Sequence, residues 1–121
     1  MAIGSFALSA EDTTGRNIAI GRNSLLVANS TSGNANNVAI GYNTGATITT
    51  GTKNIFIGSF AGDATTTSSD NTVVGYNALT AGDSSGTNTA IGSTTLHEAT
   101  GFDNTALGFN AGSYITTCIK P

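Results

Sequence analysis

The stretch Asn71-Thr-Val-Val-Gly-Tyr-Asn-Ala-Leu79 decides the fold, because variants of it recur along the whole chain. Each copy begins with the pattern Asn-x-(Ala/Val/Phe)-(Ile/Val/Leu)-Gly and continues into a second short patch, in which the third residue after the glycine is always small. The first copy is truncated to Ala2-Ile3-Gly4. The closing glycines are Gly4, Gly21, Gly41, Gly58, Gly75, Gly92 and Gly108, so the spacings between them are 17, 20, 17, 17, 17 and 16 residues.

The length of this unit predicts the architecture. A unit of about 17 residues is too short for a helix pair or a propeller blade, and it fits one coil of a β-solenoid made of strand, turn, strand and turn. Stacked coils place equivalent residues in columns about 4.8 Å apart. We therefore expect an all-β fold in which residues 1–112 form a β-solenoid of about seven coils. Residues 113–121 break the repeat and are expected to form a C-terminal cap or connector.

Alternation along each strand divides its side chains between two faces. We expect the large aliphatic column before the glycine to form the core: Ile3, Ile20, Ile40, Ile57, Val74, Ile91 and Leu107. The residue immediately before each of these aliphatic residues lies on the opposite face of the strand, so this second column would point outward. Because it is apolar on every coil, it is predicted to be an oligomer interface: Ala19, Ala39, Phe56, Val73, Ala90 and Ala106.

Two polar or flexible positions of the repeat have structural explanations. The closing glycine is expected where φ is positive or where two backbones approach closely. The asparagine that opens each copy either forms a hydrogen-bonded ladder along the stack or closes the turn that enters each strand.

Composition excludes several classes of function. Charged residues make up 9% of the chain, only 4 residues are Lys or Arg, and the formal net charge is −3. So few cations cannot neutralise a run of phosphates, which argues against nucleic-acid binding. No apolar run approaches the roughly 20 residues of a membrane-spanning helix. The single cysteine, Cys118, excludes an intrachain disulfide and leaves interchain bonding as the less favoured alternative to an unpaired thiol.

Little in the sequence points to catalysis or metal binding. His97 is the only histidine and lies beside Glu98, an arrangement typical of a solvated loop, so we expect no enzyme and no cofactor. Four carboxylates in the links are not in register, which favours solvated turns over a calcium site: Asp63, Asp70, Asp83 and Asp103. Aromatic residues follow several of the repeat glycines, and packing between coils or chains is favoured over stacking on sugar rings: Phe6, Tyr42, Phe60, Tyr76 and Phe109.

The copies Asn71–Leu79 and Asn104–Gly112 resemble repeats of bacteriophage tail-fibre proteins. The tetrapeptide Val38-Ala39-Ile40-Gly41 is also the hallmark of head repeats in trimeric autotransporter adhesins. The resemblance covers Ala2 to Gly112, and residues 1–121 show neither the chaperone domain of many such fibres nor the coiled-coil stalk of the adhesins. It implies a parallel homotrimer of left-handed β-rolls that acts as a fibre or adhesin-stalk segment in host or surface attachment.

The resemblance also implies partners and a location. The chain itself and a cell-surface glycan or receptor are the expected partners, and membrane insertion is not expected. Residues 1–5 lack the features of a signal peptide, so an extracellular or virion location would be reached by release with a virion or by export of a longer parent chain.

Two other functions compete with this interpretation. An ice-binding solenoid needs an outward threonine array on every coil, and Thr72, Thr89 and Thr105 do align, but Ile18, Val38 and Ile55 occupy the same column. A self-assembling extracellular filament subunit would pair end to end through open strand edges. The molar mass in solution distinguishes these possibilities.

Overall fold

The computed structural model describes residues 1–11, 15–29, 33–81 and 86–115, and it confirms the all-β prediction. Its strands are β1 Ala2–Ile3, β2 Ile18–Ile20, β3 Val38–Ile40, β4 Ile55–Ile57, β5 Thr72–Val74, β6 Thr89–Ile91 and β7 Thr105–Leu107. They form one 7-stranded sheet in chain order. All neighbouring strands are parallel, so each connection completes one turn of a β-solenoid. The structure describes only residues 113–115 of the predicted cap, while Asp83 and Cys118 lie outside the described residues.

The sequence repeat sets the strand register. Ala39 pairs with Phe56, and Val73 pairs with Ala90, so each column of the repeat is also a column of the sheet. The 20-residue spacing between Gly21 and Gly41 leaves this register intact, because Ile18 still pairs with Val38. The additional residues are therefore accommodated in the link between the two strands.

The predicted assignment of inner and outer faces is wrong and must be reversed. None of the Phe56 side chain is exposed, whereas 36% of its neighbour Ile57 is. The residues predicted to form an oligomer interface are buried inside the coil, so they cannot line one: Ala19, Ala39, Phe56, Val73, Ala90 and Ala106. The residues predicted to form the core lie on the outside of the sheet, where they are exposed or half-exposed: Ile3, Ile20, Ile40, Ile57, Val74, Ile91 and Leu107.

The narrow interior explains this reversal. Leucines from the turn side fill the core opposite the sheet and are fully buried: Leu25, Leu79 and Leu96. Little volume then remains for the strand, which contributes alanine at most levels. The exceptions are Val73 and Phe56, and the Phe56 ring fills the space that leucines occupy at other levels. A Cβ atom on Gly62 would lie 2.5 Å from this ring, and one on Gly45 would lie 2.8 Å from it.

The second patch of each unit was expected to be a strand, and within the described residues it forms turns instead. In the fifth unit, Asn77 and Leu79 both have left-handed backbone conformations, with φ of 54° and 50°. Two such residues at alternate positions prevent an extended conformation. The turns still stack: the Asn77 N–H donates to the Ser59 carbonyl at 3.1 Å, and the Leu79 N–H donates to the Thr95 carbonyl at 3.0 Å.

Both proposed reasons for the repeat glycine are confirmed. Gly58 has a φ of +123°, and a Cβ atom there would lie 2.6 Å from the carbonyl oxygen of Gly75 in the next coil. A side chain would therefore be strained by the backbone conformation and would also collide with the neighbouring coil.

The asparagine column forms a ladder, which decides between its two interpretations. The backbone N–H and the Nδ2 amide of Asn71 both donate to Asn54 Oδ1, each at 3.0 Å. The Asn88 N–H in turn donates to Asn71 Oδ1 at 3.0 Å. These side chains are fully buried, so the ladder satisfies amides that would be costly to leave unpaired.

Candidate interaction surface

The outer face of the sheet is the most extensive candidate surface. We define the outer face as the residues that flank the buried middle residue of each strand. One column is Ile3, Ile20, Ile40, Ile57, Val74, Ile91 and Leu107, and the other is Ile18, Val38, Ile55, Thr72, Thr89 and Thr105. With strands about 4.8 Å apart, the face is about 29 Å long.

The outer face is uncharged and largely aliphatic. None of the seven strands contains a charged residue, and large aliphatic side chains remain exposed along its length. Scattered exposed aliphatic residues are ordinary on a protein surface, whereas a contiguous stripe usually marks an interaction site. The outer face is therefore the apolar interaction surface that the sequence analysis had expected at the column of Ala90, which is in fact buried.

The composition of the outer face changes along the stack. From β2 to β4 both columns are aliphatic. From β5 onward threonine occupies one column, and Thr72, Thr89 and Thr105 pair in register across β5, β6 and β7. The face therefore has an aliphatic part and a mixed threonine–aliphatic part, which gives it a direction.

A second candidate surface lies where the chain leaves the sheet. Tyr42, Phe60 and Tyr76 follow β3, β4 and β5, and we call them the aromatic cluster. The ring centroids of Tyr42 and Phe60 are 5.3 Å apart, and those of Phe60 and Tyr76 are 6.1 Å apart, both in edge-to-face geometry. The rings thus pack between successive coils, as expected, but 42% of Tyr42 and 54% of Tyr76 remain exposed.

Small polar residues border the aromatic cluster. Asn43 Oδ1 accepts a hydrogen bond from Asn23 Nδ2 at 2.8 Å, which leaves the Asn43 amide as a donor beside Tyr42. Asn77 occupies the equivalent position next to Tyr76, and Ser59, which precedes Phe60, occupies the position that Tyr42 and Tyr76 hold in the neighbouring coils. The border therefore combines amides and hydroxyls with exposed aromatic rings.

The described side chains with acid–base chemistry do not converge on one point. His97 Nδ1 lies 4.0 Å from Glu98 Oε1, and the Glu98 side chain is largely exposed. Burial raises the pKa of the Asp63 carboxyl, while the backbone N–H groups of Asp63 and Ala64 and the charge of His97 oppose the rise. Within the described ranges, no group of three or more His, Cys, Asp or Glu residues is placed to hold a metal ion.

The link carboxylates require one correction. Asp70 and Asp103 do occupy the same position of the repeat, in left-handed turns with φ of 61° and 56°. Thr87 lies between them in the column and donates a hydrogen bond from Oγ1 to Asp103 Oδ1 at 2.5 Å. Because the two aspartates are two coils apart, about 10 Å, their oxygens do not converge on one point.

Comparisons with known proteins do not indicate a function for these surfaces. No family model matches the chain, and neither a curated protein nor a solved structure matches it. Among the described residues there is no helix with the length and apolar character needed to span a bilayer.

Proposed function

We propose that this chain is a structural segment of an extracellular or virion fibre, of the tail-fibre or adhesin-stalk kind, that serves attachment to a host or surface. Its partner in assembly is a second and a third copy of itself, in a parallel homotrimer joined through the outer face. The observation that carries the proposal is the uncharged aliphatic column that runs in register along the whole sheet. The resemblance of the repeats to trimeric fibre proteins supports the same assembly.

The direction of the outer face favours parallel alignment. When copies run in the same direction, equal levels meet, so Ile57 lies at the level of Ile57 and Thr89 at the level of Thr89. Antiparallel copies would instead place the aliphatic part of one chain against the threonine part of another, leaving hydroxyl groups opposite aliphatic side chains. Burying a hydroxyl without a partner is unfavourable, so parallel contacts between identical levels are preferred.

Solution mass tests this proposal directly. Multi-angle light scattering should give a mass three times the 12.0 kDa of the chain, independent of concentration over a wide range. A monomer, observed where circular dichroism shows the chain folded, would contradict the trimer. A mass that rises continuously with concentration would instead support end-to-end growth into filaments. The proposal includes no catalysis, so His97→Ala should leave attachment unchanged.

Ice binding is the second candidate, and one observation favours it. Thr72, Thr89 and Thr105 lie on the outer face, in register, beside Val74, Ile91 and Leu107 rather than in the core. A flat, repeating array of hydroxyl and methyl groups suits ordered water. Thermal hysteresis from a monomer, abolished by Thr89→Lys without unfolding, would support this function and contradict the fibre.

A further inference from the structure

We infer that the aromatic cluster of Tyr42, Phe60 and Tyr76 is a binding platform for an extended, neutral oligosaccharide. This inference names the target class of the attachment fibre and therefore rests on the proposed function. Sugar rings present C–H groups on their faces and hydroxyl groups around their edges. They are recognised by exposed aromatic rings bordered by hydrogen-bonding side chains, because such rings supply large contact areas with a polar rim.

The exposed rings have the spacing of a linear ligand. Tyr42 and Tyr76 are two coils apart, about 10 Å, with Phe60 packed edge-to-face between them. Such a spacing suits contact with alternate units of an extended β-linked chain lying along the solenoid axis. Phe60 holds the two tyrosines in place, so little conformational freedom remains to be lost on binding.

The bordering residues supply the matching polar groups. Within the described part of the chain, neither tyrosine hydroxyl forms a hydrogen bond, nor does the side-chain amide of Asn77 or Nδ2 of Asn43. Arg22 is the only charged residue among the positions immediately following the glycines on coils two to six. This chemistry favours a ligand with many hydroxyl groups and no net charge.

Backbone strain at Phe60 is an independent observation. Phe60 has a left-handed conformation with a φ of 62°, at a position where four other coils carry asparagine and the first coil carries Phe6, with a φ of 59°. Asparagine adopts this conformation more readily than phenylalanine does. Phe60 is partly exposed, and its ring packs edge-to-face between Tyr42 and Tyr76, so the strained residue is the one that arranges the two exposed tyrosines. Residues held in strained backbone conformations are enriched at functional sites.

The aromatic cluster and the proposed trimer interface consist of different residues. The residues of the aromatic cluster follow the glycines at which the chain leaves the sheet, whereas the outer face consists of strand residues. The two proposals therefore fail independently. Loss of sugar binding with an intact trimer would contradict only the binding platform. A monomer that still binds sugar would contradict only the trimeric fibre.

Tyrosine fluorescence offers a direct readout, because the chain has 3 Tyr and no Trp. In Tyr114→Phe, every remaining tyrosine belongs to the aromatic cluster. We expect a saturable fluorescence change on titration with cellotetraose or chitotetraose, and a weaker response to the coiled maltotetraose. Light scattering on the same samples reports the assembly, and calorimetry gives the affinity.

The matched variants use residues that the repeat already accepts. Tyr42→Ser and Tyr76→Ser introduce the residue found at Ser59 and Ser93, and Phe60→Asn introduces the residue found at Asn77. Each should weaken calorimetric binding roughly tenfold, which corresponds to the loss of one aromatic contact. Phe60→Asn should at the same time keep or raise the melting temperature. A purely structural role would predict the opposite.

Three outcomes would overturn the inference. The first is the absence of saturable binding to all three oligosaccharides in a folded sample. The second is binding that persists unchanged in the double variant Tyr42→Ser/Tyr76→Ser. The third is dissociation of the assembly by that double variant, which would place the aromatic cluster in the subunit interface.

Discussion

The two faces of each strand show opposite relations between size and burial. On β6, the small Ala90 is fully buried, whereas its larger neighbour Ile91 is 39% exposed. Residue size alone would predict the reverse. The difference shows that the inner column is limited by the volume of a narrow coil, which the turn side already fills in part. The large aliphatic residues outside are therefore available for contacts beyond the chain's own core.

The largest expected effect comes from placing a charge on each face in turn. Ala90→Asp would bury an unpaired carboxylate and should lower the free energy of unfolding by more than about 4 kcal/mol. Ile91→Asp places the same charge one residue later, on the outer face, and should leave the circular dichroism spectrum strand-like while lowering the mass in light scattering. If both variants unfold alike, the contrast between the two faces is incorrect.

A second experiment tests the claim that interior volume is shared between the strand and the turns. Phe56→Ala should lower the free energy of unfolding by about 3–5 kcal/mol, measured by denaturant titration, because a cavity would form. Adding Gly62→Leu should restore part of this loss, since Leu79 occupies the equivalent left-handed position in the next coil. Gly62→Leu alone should destabilise, because it would collide with the Phe56 ring. Additive effects of the two substitutions would argue against a shared volume.

These volumes also explain what the sequence could and could not predict. The period determined the parallel stack and its register, and alternation separated the strand residues correctly into two faces. It could not say which face was inner, because both are apolar. One usable signal was a compensation in size. The column that contains leucine in most internal coils has glycine at Gly45 and Gly62, and Phe56, the largest residue of the inner column, lies between them in the sequence. This compensation indicates that the two columns share one interior.

The aromatic cluster was less accessible to prediction from the repeat. Phe60 lies one residue later in its unit than Tyr42 and Tyr76 do in theirs. An alignment of the repeats therefore places Phe60 in a different column from Tyr42 and Tyr76, although the three rings are in contact in the structure. The structure places the Phe60 ring between the tyrosines, with Phe60 in a left-handed conformation that phenylalanine rarely adopts.

The buried asparagine ladder should give an intermediate effect. Asn71→Ala would remove the amide that donates to Asn54 Oδ1 and the oxygen that accepts from Asn88. A loss of about 1–3 kcal/mol in the free energy of unfolding is expected, because the buried Asn88 N–H loses its acceptor and Asn54 Oδ1 loses one of its two donors from residue 71. Asn34→Ala is the matched control at an exposed position, and it should change stability by less than about 0.5 kcal/mol. Equal losses in both variants would mean that the ladder contributes nothing specific.

The smallest expected effect concerns Asp63, on the turn side, where burial is only partial. Burial raises the pKa of its carboxyl above 3.8 in the folded chain, so the folded state binds this proton more tightly than the unfolded state does. The stabilising contribution is therefore complete below pH 3.8 and is lost as the pH rises through the folded pKa. Asp63→Asn should raise the free energy of unfolding at pH 7, but by no more than about 0.5 kcal/mol, because solvent screens a half-exposed carboxyl.

Thermal unfolding of Asp63→Asn and the original chain between pH 3 and pH 7 measures this contribution. The melting temperatures should coincide at the acidic end and separate in favour of Asp63→Asn as the pH rises. Glu98→Gln removes an exposed carboxylate and controls for the change in net charge, so it should not reproduce the separation. A gain for Asp63→Asn that is largest at pH 3 would show that the amide forms a new contact. The partial burial of Asp63 would then have no measurable effect on its proton affinity.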